Sequence, residues 1–111
     1  ETRSPREVAW REDGGWVLKP ALGRVGEGIG LRGVVEPSQW RSIARAARWW
    51  PSTWAAQRRF EPIPLECDGV RYFPCIGVFV VDGGSAGAYG RIARRALIDA
   101  RSRDIAVLVQ P

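Results

Sequence analysis

The chain is expected to fold as an α+β domain, a mainly antiparallel sheet with one or two helices. Three observations predict it. Short β-prone runs recur along the chain, at residues 16–18, 54–60, 70–81, 85–92 and 105–109. The sequence Asp82-Gly83-Gly84 between two of them is a hairpin signal, which makes those strands antiparallel. One longer stretch carries helical periodicity: Trp40, Ile43, Ala44 and Ala47 stand at i, i+3, i+4 and i+7.

The elements follow in order. Residues 1–14 are polar and are read as a flank to a domain of residues 15–111. Within the flank, Ser4-Pro5-Arg6-Glu7 has the form of a capping box with proline at the first helical position, so a short helix to Glu12 and a frayed terminus are equal readings. Residues 16–18 read as a strand, and Pro20 pushes Lys19 towards extended backbone. Five of the thirteen glycines then fall between Gly23 and Gly33. Ile29, Leu31 and Val34-Val35 resume an apolar pattern, so a second strand is expected to pair back across a flexible tip. Glu36-Pro37 opens a helix and Pro51 ends it; Arg41, Arg45 and Arg48 share the side away from its apolar face. Residues 54–60 read as a strand, whereas the prolines of residues 61–65 bar them from a central one. Residues 70–81 read as a strand kinked at Pro74. The small residues of the returning strand, 85–92, suggest a close approach to its backbone. An arginine-rich stretch leads to a last strand at 105–109.

Bulk composition narrows the function classes. The 111 residues fit one domain, and no apolar run approaches the roughly 18 residues of a membrane span. The first residues carry no apolar leader region, and the chain has no methionine, so it reads as a piece of a longer or processed cytoplasmic protein. Histidine is absent, which excludes His-based triads and His-containing metal sites. A net charge of +5 suits an acidic partner, although arginine-rich coding explains it equally well. Cys67 and Cys75 could face each other across a hairpin, but buried free thiols are the preferred expectation.

The chemistry-bearing stretch begins at Lys19, the one lysine against sixteen arginines. Taken alone, it reads as a strand-end lysine that snorkels into water. The glycine loop behind it changes that balance. Gly23, Gly26, Gly28 and Gly30 free the backbone to turn amides towards an anion, and lysine is a point charge suited to phosphate. The order excludes a P-loop, because the lysine precedes the glycines and no Gly-Lys-Ser/Thr is present. No helix follows directly, so a dinucleotide fingerprint does not fit either. A lysine strand followed by a glycine hairpin is the order of a flap over triphosphate, with Arg24 at its tip as an electrostatic clamp. The segment Gln57-Arg58-Arg59-Phe60 is a candidate strand edge for adenine. Arg91, after the small residues 86–90, is a second candidate arginine for the transferred phosphoryl group.

These residues resemble a known family. Lys19-Pro20, the loop of residues 23–29, Gln57 to Pro64, Ile76 to Val81 and Ser85 to Arg91 occur in the order found in the C-terminal part of glutathionylspermidine synthases, members of the ATP-grasp superfamily. The resemblance covers about residues 15–95. It implies the C-terminal portion of an ATP-grasp fold and an ATP-dependent carboxylate–amine ligase that forms an amide through an acyl phosphate. By similarity Lys19, Gly23, Gly26 and Gly28 bind ATP phosphates, Gln57, Arg58 and Phe60 border adenine, and Arg24 and Arg91 are catalytic. Mg²⁺ is implied, with its carboxylate ligands outside this chain. The acid and amine are unassigned, since Val25, Ile92 and residues 96–100 depart from the family pattern. Two other classes fit parts of the sequence. The arginine flank of the helix motivates a basic nucleic-acid-binding module, but the six tryptophans follow no stacking-platform motif and several fit a core, so nucleic acid is not the expected partner. The missing flanking acids fit a non-catalytic ATP-grasp relic that serves as an interaction domain.

Overall fold

A computed structural model describes residues 1–23 and 27–108. The chain is α+β, with one helix and two antiparallel sheets, as expected. It divides into two units, Glu1–Glu61 and Pro62–Pro111.

The first unit holds strands β1 (Thr2–Arg3), β2 (Trp16–Pro20) and β3 (Trp54–Arg58), helix α1 (Pro37–Trp49) and a 3-10 turn, Pro51–Thr53. The sheet order is β1-β3-β2, with Leu18 opposite Ala56 and Lys19 opposite Ala55. Strand periodicity decides the faces. Trp16, Leu18 and Ala56 are buried in the core, whereas Val17, Lys19, Ala55 and Gln57 are half-buried on the other face. Ile43 and Ala47 of α1 join that core, with Trp40 and Ala44 packed beside them, so the helical periodicity translates directly into packing. Pro37 occupies the first turn, where its missing N–H costs nothing. At the other end the Trp50 amide donates to Ala46 O, and Pro51 stops the helix.

Residues 1–14 are neither helical nor loose. β1 pairs with β3, and Trp10 lies in the core, edge-on to Trp40 at a centroid distance of 6.4 Å. Its indole N–H donates to Pro5 O at 3.0 Å. In an α-helix that carbonyl would accept from Ala9; here burial of the indole takes it, and the segment closes as turns instead. The expected return strand after the glycine loop is also corrected. It shrinks to one bridge, in which Leu18 and Gly30 exchange backbone hydrogen bonds of 3.0 and 2.7 Å. The chain then turns, as the Val34 and Val35 amides donate to Leu31 O, and this buries Leu31 and Val35.

The second unit is a meander of β4 (Leu65–Cys67), β5 (Val70–Val81), β6 (Gly84–Ala93) and β7 (Arg103–Ile105). Asp82-Gly83 forms the expected two-residue turn, and Asp68-Gly69 forms another. All four residues have positive φ, as a type I′ turn requires. Pro74 is tolerated inside β5 because β4 pairs only with Val70 to Tyr72, so no β4 partner is lost there. The strand expected at 105–109 sits earlier, because Arg91 on β6 pairs with Asp104 and Gly90 with Ile105. The thiols are corrected too. Cys67 stands opposite Val70 at its turn and Cys75 opposite Arg91, and both are free and exposed. No helix among the described residues is long and apolar enough to cross a membrane.

Candidate functional site

Lys19 and Gln57 are the two sequence-chosen residues that the first unit brings together. β2 presents Val17 and Lys19 on the sheet face opposite the buried Trp16 and Leu18, and β3 presents Ala55 and Gln57 beside them. Val17 pairs with Gln57 and Lys19 with Ala55, so the lysine and glutamine are diagonal neighbours, within reach for long side chains. The Lys19 ammonium donates to the Gln57 carbonyl oxygen, Oε1. Among the described residues no carboxylate pairs with Lys19. Its hydrogen-bond partner among the described residues is a neutral amide, which orients the ammonium without neutralising it.

The remaining candidates are placed differently. Arg58 points to the core side of the sheet, where its guanidinium lies 5.0 Å from the Trp16 ring centroid and pairs with Asp13 at 2.7 Å. Asp13 is held below the ordinary carboxylate range, first by the Gly15 N–H that it accepts and then by Arg58. β3 is the central strand, and the Arg58 amide already donates to Glu1 O. The free strand edge expected for adenine is therefore not offered at Gln57 and Arg58. Phe60 lies past the strand end and is exposed. Gly23 is exposed, and Gly28 has a φ of 67°, a left-handed conformation that suits glycine. Arg24 and Gly26 lie outside the described residues.

No family model, curated protein or solved structure matches this chain.

Arg91 belongs to the second unit. It is mostly covered, with its side chain 22% exposed, and its Nε donates to Asp104 at 2.8 Å. That carboxylate is itself 82% exposed, so the pair is a weakly held one that another anion can compete for. The close backbone approach suspected in β6 is internal: a side chain on Gly90 would meet Ile105 and Val107 at 2.9 Å. Among the described residues no three acidic or cysteine side chains converge as metal ligands. The pairings of Asp13 with Arg58 and of Asp104 with Arg91 are what the sequence does not show. Strand register sets Asp104 opposite Arg91, whereas Asp13 lies in the turn before β2 and meets Arg58, which register places opposite Trp16.

Proposed function

We propose that the chain is the ATP-binding, C-terminal portion of an ATP-dependent carboxylate–amine ligase similar to glutathionylspermidine synthases. One observation carries the reading: the single lysine stands on a half-buried sheet face with a neutral partner, its charge left for a phosphate. A carboxylate beside it would have satisfied the ammonium and left nothing to bind. Lys19 holds phosphate oxygens in this account, and Gln57 sets the position of its ammonium. The glycines at 23, 26 and 28 give the adjoining loop the backbone freedom to close. By the resemblance, Arg24 and Arg91 are the catalytic arginines. ATP supplies the phosphoryl group that activates the carboxylate for attack by the amine. By the same resemblance Mg²⁺ accompanies ATP, with its carboxylate ligands expected outside this chain. A cytoplasmic setting accords with ATP use and two free thiols.

The test is ATP-dependent amide formation by the full-length protein. Lys19→Ala and Arg24→Ala each abolish it in this account. Unchanged turnover in both variants overturns the account.

A further inference from the structure

Helix α1 and the turns before β2 build a second feature, on the core side of the sheet and away from Lys19. Two grooves, about 360 and 370 Å³ in volume, share Trp10, Arg11, Arg48 and Trp49 as lining residues. The first adds Arg6 and the second adds Arg32 and Arg45, against one acid, Glu12. These arginines differ from others of the unit in their ion pairing. Arg3, Arg58 and Arg59 each hold a carboxylate. Among the described residues, none of the five groove arginines does. Arg11 lies over the Trp10 ring at 5.1 Å and Arg48 over the Trp49 ring at 5.8 Å, so cations and indoles are interleaved. Trp49 and the adjoining Trp50 are 66% and 63% exposed, although the apolar face of α1 is already buried.

We propose that this surface binds single-stranded nucleic acid, with phosphates on Arg11, Arg45 and Arg48 and a base stacked on Trp49. Unpaired guanidiniums attract any polyanion; exposed indoles beside them select one that also carries planar rings. An acidic peptide would use the arginines and leave the indoles without a role. A duplex keeps its bases stacked inside, out of reach of Trp49. The concave lining suits a strand better than a lipid surface, which is met by a convex apolar face. The inference is independent of the ATP reading, because Lys19 and Gln57 face the other side of the sheet.

The experiment uses the 111-residue chain and a labelled single-stranded oligothymidylate, followed by fluorescence anisotropy across a salt series. Binding is expected at low salt and weakens steeply as salt rises. Trp49→Ala weakens it about ten-fold, and Trp49→Phe, which keeps a ring, by less than about three-fold. Replacing Arg45 and Arg48 together by alanine lowers the slope of log affinity on log salt by about 1.4, roughly 0.7 per lost phosphate contact. Arg71→Ala, which removes one positive charge on β5, leaves the affinity within about two-fold. Circular dichroism checks that each variant is folded. Four results overturn the proposal: no binding at low salt, equal competition by a duplex of the same length, full affinity in Trp49→Ala, or binding to anionic vesicles without binding to the oligonucleotide.

Discussion

Replacing Gly30 by alanine tests how the loop after β2 is tied to the fold. Gly30 is fixed by its two hydrogen bonds to Leu18, and α1 packs directly on it. A Cβ there would stand 2.7 Å from Ile43 Cγ2, 3.2 Å from Trp40 Cζ3 and 3.4 Å from Leu18 Cβ. The first distance is well inside the roughly 3.5–4.0 Å of a carbon contact. Ile43 is buried in the core and has little room to rotate away. Overpacking of this kind costs about 2 kcal/mol. Ile43→Ala alone opens a cavity and costs about 3 kcal/mol. Independent lesions would total about 5 kcal/mol. The double variant is expected to lose only about 3 kcal/mol, because Ile43→Ala removes the atom that the new methyl strikes. Urea unfolding followed by tryptophan fluorescence measures this in the right place, since all six tryptophans lie within residues 10–54 of the first unit. Additivity within about 0.5 kcal/mol would refute the contact between α1 and the loop's return.

Two further predictions concern other parts of the chain. Asp13→Asn removes a carboxylate whose pKa is lowered in the folded state, so the stabilisation is present above the ordinary aspartate value of about 3.9 and is lost as pH falls. The urea midpoints of the variant and the parent should differ at neutral pH and converge in acid; a gap that persists to the lowest pH contradicts the Gly15 and Arg58 contacts. Gly77→Ala drives a methyl into the Tyr89 ring on β6 and should cost about 1–3 kcal/mol, seen as faster amide exchange along β5 and β6. Adding Tyr89→Ala should restore slow exchange, and no change in either variant would show that the ring does not cover Gly77.

The parts of the fold legible in the sequence are those set by neighbours along the chain. α1 announced itself through Pro37, the spacing of Trp40, Ile43, Ala44 and Ala47, and Pro51. The β5–β6 hairpin did so through Asp82-Gly83. The equivalent Asp68-Gly69 turn carries the same signal, but the strand before it has only three residues and follows the prolines of residues 61–65, so no alternating run marks it. Residues 4–12 are not legible because a capping box competes with burial of Trp10, and burial is a tertiary term that no local pattern contains. Leu31, Val34 and Val35 look like strand residues and are apolar for another reason: a turn on Leu31 buries two of them. Cysteine is usually buried, yet β4, which carries Cys67, is exposed throughout, and β5, which carries Cys75, is exposed over much of its length. In the site, Lys19 stood out as the one lysine. Its pairing with Gln57 depends on the register of β2 against β3, which the sequence does not spell out. The same register places Arg58 on the opposite face from Gln57, although the two are adjacent in sequence.

The most direct test of the nucleotide reading exploits that single lysine. With isotope-labelled lysine the chain gives one side-chain ammonium signal, from Lys19. Titrating ATP should move that signal saturably, and Gln57→Ala should weaken the response while leaving it saturable. A lysine signal that stays still through millimolar ATP, while tryptophan signals of the first unit shift, would contradict a phosphate site on this sheet face.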